Sequence, residues 1–299
     1  MKEIIVLTPI RKMNKNDCLH ITETPRDAMQ GFRTIIPAGK KAEYINLLLK
    51  CGYETVDIGS FVSPKAVPQM ADTSEVISLL DTERTKSKIM VLAGNSRGGS
   101  QAAAEHKVQI ISFPYSVSGT FLKRNLNTTP EAAWQTVLEL FTICDQSQKE
   151  LRVYVTMAFG NPYGDKWNDE IVIREVEKLY SAGIRNIVFS DVTGEGTPGN
   201  IERLSSLLIT SFPGVTMGVH LHTRIHDWQP KVEAAWSGGM RNFESALGGL
   251  GGCPMTGYEL LGNLDTLNLL QWCKKQGIET GIKNEILDEA RSLAVEIFQ

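Results

Sequence analysis

The chain has 299 residues, of which 42% are hydrophobic and 22% charged, and its net charge of -3 corresponds to a pI near 6.0. This is ordinary globular composition, and it gives no electrostatic reason to expect nucleic acid or an anionic membrane as a partner. Five cysteines without CxxC spacing argue against a disulfide framework, and no apolar stretch approaches the ~18 residues of a membrane span. We therefore predict a cytoplasmic protein.

Short β-branched runs alternate with amphipathic segments, and the alternation repeats about eight times along the chain. Strands are predicted over residues 18–23, 55–59, 88–92, 108–113, 151–157, 186–190, 215–222 and 241–245. The helices predicted between them include residues 40–50, 130–144, 168–182, 200–210 and 228–237. Thr129 before Pro130 is typical of a helix start, and Gly52 and Gly183 stand where helices should end.

This order of elements indicates parallel βαβ units, eight of which close into a (β/α)8 TIM barrel. An open doubly wound sheet is the alternative architecture, but it usually carries a glycine-rich phosphate loop after its first strand. Thr24-Pro25-Arg26-Asp27 stands at that position here. Because no linker divides the chain, we predict one barrel domain over residues 17–299 after an N-terminal extension of residues 1–16.

Chemistry in such barrels lies at the C-terminal ends of the strands, where the loops converge. Polar side chains stand at several of the predicted strand ends. They are Arg26, Asp27, Asp57, Ser60, Asp191, His220, His222 and Ser245.

His220 and His222 give the most specific signal in this set. Residues two apart on a strand project to the same side, so both imidazoles should point into the barrel mouth. Two convergent imidazoles with a nearby carboxylate are a common way to hold a divalent metal. The alternative is two core histidines satisfied by backbone or water, and the spacing of the pair favours the metal.

Asp27 is the carboxylate expected beside these histidines, although an aspartate after a proline also suits a turn. Arg26 would either form an ion pair or stabilise an oxyanion or enolate at the strand exit. The residues alone leave both alternatives open.

Four glycines lie in residues 248–252, directly before Cys253 and Pro254. The segment is either a flexible loop or a mobile lid that brings the Cys253 thiol over the metal site. Residues 194–199 resemble a phosphate-binding turn, but a plain βα turn is the simpler interpretation. The other four cysteines lie within predicted strands or helices, so we expect them to be buried.

These motifs resemble those of the metal-dependent barrel lyases and condensing enzymes, and among them the 3-hydroxy-3-methylglutaryl-CoA lyases. The similarity extends over residues 20–285. The wider family is marked by TPRDAMQ, which contains Arg26 and Asp27, and by VHLH, which contains the two histidines. The lyase branch is marked by SFVSPKAVPQM at residues 60–70 and GGLGGCP at residues 248–254.

The resemblance implies a divalent cation, Mg²⁺ or Mn²⁺, and an acyl-CoA substrate, with a homodimer left open. The implied metal ligands are Asp27, His220, His222 and Asn263. The implied substrate-binding residues are Gln30, Ser60, Tyr154 and Gly252. The implied catalytic residues are Arg26, Cys253, Asp57 and Asp191.

The implied reaction begins when a base removes the proton of a tertiary hydroxyl whose pKa the metal lowers. The Cα–Cβ bond then breaks, and acetoacetate separates from an acetyl-CoA enolate. Arg26 would stabilise the enolate, and Cys253 would take part in its protonation. The chain departs from the family in Asp57, where glutamate is usual, and in Thr223, where aspartate is usual; it also has one extra residue between Cys253 and Asn263.

Two other functions fit the same motifs less well. A condensing synthase that joins acetyl-CoA to a 2-oxo acid would usually continue well past the barrel and lack the glycine–cysteine segment. An inactive acyl-CoA-binding barrel would have no reason to keep Arg26, Asp27, His220, His222 and Cys253 together.

Overall fold

The computed structural model describes residues 18–252 and 261–298. Eight parallel strands follow one another around a closed barrel, in which the last strand pairs with the first. They are β1 (His20–Glu23), β2 (Thr55–Phe61), β3 (Lys88–Ala93), β4 (Ile110–Ser116), β5 (Glu150–Thr156), β6 (Asn186–Asp191), β7 (Thr216–Leu221) and β8 (Asn242–Ser245). The predicted (β/α)8 barrel is confirmed.

Helices connect the strands, and two more helices come after the last strand. They are α1 (Pro25–Gln30), α2 (Ala38–Cys51), α3 (Thr73–Ser78), α4 (Ser96–Ala104), α5 (Gly119–Leu126), α6 (Pro130–Gln146), α7 (Asp169–Ser181), α8 (Pro198–Ser211), α9 (Trp228–Ser237), α10 (Thr266–Gln276) and α11 (Asn284–Ile297). The five helices whose residue ranges were predicted correspond to α2, α6, α7, α8 and α9. Their apolar faces pack on the strands and form the main core.

Two helix boundaries show why the local sequence signals were informative. The Thr129 hydroxyl accepts a hydrogen bond from the Ala132 N–H, and Pro130 occupies the first turn of α6. Gly52 ends α2 with φ 99°, a conformation that side chains disfavour. A Cβ on Gly52 would also lie 2.7 Å from the carbonyl oxygen of Gly281, so the close approach requires glycine as well.

The first and fourth strands are shorter at their N-terminal ends than predicted. Cys18 forms only an isolated bridge with Glu279, and its side chain is exposed, so the prediction that it is buried was wrong. Cys18 precedes β1 and therefore lies outside the buried part of this strand. The prediction is confirmed for Cys51, Cys144 and Cys273.

Within residues 18–252 and 261–298, no helix is both long and apolar enough to cross a bilayer.

Glu23, at the end of β1, holds both ends of the connection between β8 and α10. Its carboxylate accepts hydrogen bonds from the Leu247 N–H at 2.7 Å and from the Thr266 hydroxyl at 2.6 Å. Complete burial raises the pKa of Glu23 to about 8, although these hydrogen bonds oppose the shift. The folded protein therefore holds a proton on Glu23 that the unfolded chain releases at a lower pH.

This difference predicts a loss of stability with rising pH. The pKa of Glu23 is raised from 4.5 to about 8. Its contribution to the free energy of unfolding is therefore fully present below pH 4.5 and is lost as the pH rises through about 8. The slope should reach at most about 1.4 kcal/mol per pH unit in that window. Glu23→Gln keeps a neutral acceptor, so its melting temperature should fall less between pH 5 and 8.5. If the melting temperatures of the two proteins fell equally across that pH range, the raised pKa assigned to Glu23 would be contradicted.

Candidate active site

A pocket opens at the C-terminal ends of the barrel strands. Residues from α1, β5 and β7 give it a polar part: Arg26, Asp27, Gln30, Tyr154, His220 and His222. The lining from β3, β4 and α5 is mostly apolar and includes Leu92, Pro114 and Phe121. The pocket can therefore hold a ligand with one polar end that reacts and one apolar part that is bound.

Asp27, His220 and His222 converge in the polar part. One ligand atom from each lies within 4.8 Å of the others, and all three residues are buried. The Nε2 atoms of the two histidines are 3.0 Å apart. The prediction that both rings point to one side of β7 agrees with this geometry.

Hydrogen bonds at the far side of each ring set the histidine tautomers. His220 Nδ1 donates to Glu244 Oε2 at 2.9 Å, and His222 Nδ1 donates to the carbonyl oxygen of Leu261 at 2.7 Å. In the neutral tautomers that result, both Nε2 lone pairs face each other. Such an arrangement is stable only with a proton or a cation between the two nitrogens.

The electrostatics of the pair agree with a single shared charge. Burial opposes the charged form of His220, but its hydrogen bond to Glu244 raises the pKa of this ring above its ordinary value. Burial and the charge of His220 lower the pKa of His222 to about 4. One ring therefore donates, and the other offers a lone pair.

Asn263 lies beside this group, as the ligand prediction requires. It pairs with His222 in an isolated bridge, and its Nδ2 donates to Asp27 Oδ2 at 2.6 Å and to the carbonyl oxygen of Leu250 at 2.7 Å. Exchange of the amide nitrogen and oxygen by rotation would turn an acceptor toward the group. The extra residue before Asn263 has not displaced it from the site.

The Arg26 guanidinium is held on three sides. Its Nε and Nη2 donate to Asp57 Oδ2 at 2.9 and 2.6 Å, and its Nη1 donates to Asp27 at 3.0 Å and to Gln30 at 3.2 Å. Burial raises the pKa of Asp57 to about 6, and the charge of Arg26 opposes this. The other oxygen of Asp57 is buried without a hydrogen-bond partner. Asp57 thus contacts Arg26 and does not line the pocket.

The predicted substrate-binding residues divide into two groups. Gln30, Ser60 and Tyr154 line the pocket. Gly252 is buried with φ 123° and is not part of the described lining.

The HMGL-like family model matches residues 19–294, a range that contains every described residue of this site. The chain belongs to the HMGL-like family. The predicted resemblance to lyases is thereby confirmed.

Relatives within the family are named as lyases. The mitochondrial hydroxymethylglutaryl-CoA lyase of Mus musculus is 32% identical over 266 residues, which cover 89% of this chain and 81% of the mouse protein. The cytoplasmic 3-hydroxy-3-methylglutaryl-CoA lyase of Rattus norvegicus is 30% identical over 86% of this chain and 74% of the rat protein. The solved structure of an HMG-CoA lyase from Acinetobacter baumannii, in complex with coenzyme A and 3-methylmalate, has a TM-score of 0.88 at 29% identity, covering 94% of this chain and 92% of that one.

In this HMGL-like barrel, Asp191 is not brought to the pocket. Its carboxylate pairs with Lys231 Nζ at 3.0 Å and accepts two hydrogen bonds from the Gly196 N–H at 3.1 Å. Ser190, one residue earlier on β6, lines the pocket instead. The catalytic role of Asp191 stays a prediction, and the 194–199 loop forms a turn around this carboxylate.

Cys253 lies outside the described residues. Ser245 is buried, its hydroxyl oxygen lies 2.8 Å from that of Thr266, and it is not part of the described pocket lining.

Sequence reasoning missed Glu244 and its partner Arg152. Both are buried inside the barrel, and Glu244 contacts a residue of the metal group directly. A charged residue in the middle of a predicted buried strand was the signal that could have revealed Glu244.

Proposed function

We propose that this chain is a divalent-metal-dependent carbon–carbon lyase that cleaves 3-hydroxy-3-methylglutaryl-CoA, or a close 3-hydroxyacyl-CoA, to acetyl-CoA and acetoacetate. The convergence of Asp27, His220 and His222 beside the Arg26 guanidinium supports this most directly. Relatives named for that substrate supply the chemical class. The solved structure of such a relative with coenzyme A supports a CoA thioester as the ligand.

The donor atoms suit a hard divalent ion. Asp27, His220 and His222 offer one carboxylate and two imidazoles, and Asn263 adds an amide beside them. Oxygen and nitrogen donors without thiolate favour Mg²⁺ or Mn²⁺ over softer metals. A bound ion of this kind would supply Lewis acidity toward the substrate's hydroxyl and carbonyl oxygens.

The chain's own residues account for the remaining roles. Arg26 is fixed by Asp57 and Gln30, so its charge is already in place when negative charge develops on the thioester oxygen. The apolar lining around Phe121 excludes water from that oxygen and strengthens the interaction. Cys253 is proposed to protonate the enolate carbon.

Cleavage can be tested directly by mass spectrometry. Purified protein should convert 3-hydroxy-3-methylglutaryl-CoA to acetyl-CoA and acetoacetate when Mn²⁺ or Mg²⁺ is present, and chelation should abolish the reaction. Parallel incubations with other 3-hydroxyacyl-CoA thioesters define the acyl specificity. Formation of a longer acid from acetyl-CoA and a 2-oxo acid, without any cleavage, would favour the condensing alternative.

We also propose the cytoplasm as the site of action. The rat relative is named cytoplasmic, whereas the mouse relative is named mitochondrial. Fractionation of cells that express the chain separates the two locations.

The proposed role of Cys253 predicts a distinct alkylation pattern. Burial raises the pKa of the Cys51, Cys144 and Cys273 thiols to about 12, so they should react slowly at pH 8. Cys253 and the exposed Cys18 should react first, and a CoA substrate with Mn²⁺ should protect only Cys253.

Cys18 is therefore the internal control, because it is exposed and precedes the N-terminal end of β1, whereas the pocket lies at the C-terminal ends of the strands. Peptide mapping after a short alkylation pulse reads both sites. Cys253→Ser should bind metal normally and lose most turnover. An unprotected Cys253 together with a fully active serine variant would contradict the role.

A further inference from the structure

Glu244 is a buried carboxylate in the barrel interior to which none of the roles above is assigned. Its Oε2 accepts from His220 Nδ1 at 2.9 Å, and the Tyr154 hydroxyl lies 3.0 Å from both of its oxygens. Its Oε1 also accepts from Arg152 Nη1 at 3.0 Å. Glu244, His220, Tyr154 and Arg152 are 3%, 8%, 5% and 6% exposed, so solvent does not compete for these contacts.

Arg152 prevents the carboxylate from turning away. Besides Glu244, it donates from Nε to Asn186 Oδ1 at 3.0 Å and from Nη1 to the Thr22 hydroxyl at 3.1 Å. The guanidinium thus reaches from β5 to β1, β6 and β8 across the inside of the barrel. An arginine bound to three strands holds its carboxylate partner in one place.

The position of Glu244 determines which nitrogen of His220 faces the metal group. The carboxylate accepts the hydrogen of Nδ1, so Nε2 is the nitrogen that faces His222 and the metal group. A carboxylate on the far nitrogen of a metal-binding histidine fixes the ring orientation and increases the basicity of the ligand. The second contact of Glu244 has a similar effect on Tyr154. The hydroxyl hydrogen points to Glu244, so only lone pairs remain for the pocket.

We infer that Glu244 is the positioning residue of this site, which orients His220 toward the cation and fixes the Tyr154 hydroxyl as an acceptor for the hydroxyl group of the bound 3-hydroxyacyl-CoA. The inference rests on the proposed function, because it assigns a partner to a proposed ligand. The inference is tested by cation affinity, which is measured without any substrate, whereas the proposed function is tested by cleavage of the thioester.

The test is calorimetric titration of the metal-free protein with Mn²⁺. Glu244→Gln should raise the dissociation constant by about 10- to 100-fold, as loss of such outer partners typically does. Tyr154→Phe should leave it unchanged and raise the KM for the thioester, because it removes only the tyrosine contact. Glu175→Gln is the matched control: it makes the same change at a carboxylate that also accepts from a tyrosine hydroxyl, that of Tyr115 at 2.5 Å, but contacts none of the proposed ligands, so its dissociation constant should equal that of the wild type.

Glu244→Gln leaves the Arg152 charge buried without its partner, and the variant could fail to fold for that reason. The double variant Glu244→Gln/Arg152→Met removes both charges and should show the same loss of affinity. A folded variant of either kind that binds Mn²⁺ as tightly as wild type would overturn the inference. A wild-type protein that binds no Mn²⁺ would instead overturn the proposed function itself.

Discussion

His220→Ala should raise the dissociation constant for Mn²⁺ by well over about tenfold, at least as much as loss of its partner Glu244, and reduce thioester cleavage accordingly. The variant removes one of the two nitrogens that meet 3.0 Å apart and leaves Glu244 without its histidine partner. Calorimetry should find about one Mn²⁺ per chain in the wild type and much weaker binding in the variant.

A matched histidine is available for comparison. His106 is exposed in the turn before β4, far along the chain from the metal group, and His106→Ala should change neither affinity nor turnover. Equal metal content and equal activity in His220→Ala would remove the basis for the metal site.

Arg26→Lys should lower kcat by roughly 100-fold, about 3 kcal/mol, while KM changes little. Arg26 uses Nε, Nη1 and Nη2 at once to reach Asp57, Asp27 and Gln30, and a lysine ammonium cannot reproduce this fork. An interaction made mainly in the transition state appears in kcat, so the kinetic parameters must be measured separately.

The same arginine-to-lysine substitution at a surface residue provides a control. Arg203 binds Asp169 through Nε at 2.6 Å and Nη2 at 3.1 Å, outside the barrel. Arg203→Lys should therefore leave both kinetic parameters unchanged. A variant at Arg26 that raised only KM would place this residue in ordinary substrate binding.

The fold was predictable because strand and helix periods are local properties of the sequence. The same reasoning placed the rings of His220 and His222 together, since His222 directly follows β7 and residues two apart on an extended segment share a face. The choice between the two faces of a strand is less local. On β6 and β8 the prediction named Asp191 and Ser245, whereas the inward residues are Ser190 and Glu244.

On both strands the inward residue stands one position before the predicted one. A strand pattern shows alternation, but the pairing register around the barrel decides which set faces inward. The Lys231–Asp191 pair joins α9 to the end of β6, and no sequence spacing indicates such a contact. Asp57 illustrates a third limit, since it pairs with Arg26 beside a register shift in β2, between Asp57 and Gly59, that the sequence pattern does not indicate.

The location of the metal group also matters for how the chain folds. Asp27 follows β1, the first strand, whereas His220 lies on β7 and Asn263 follows β8. Asn263 is 236 residues from Asp27, which it contacts. The group therefore forms only when β1 pairs with β8 and the barrel closes. A cation bound there would link the two ends of the polypeptide, and its binding free energy would add to the resistance of the closed barrel against unfolding. Metal content in cells would then influence the lifetime of the protein as well as its turnover.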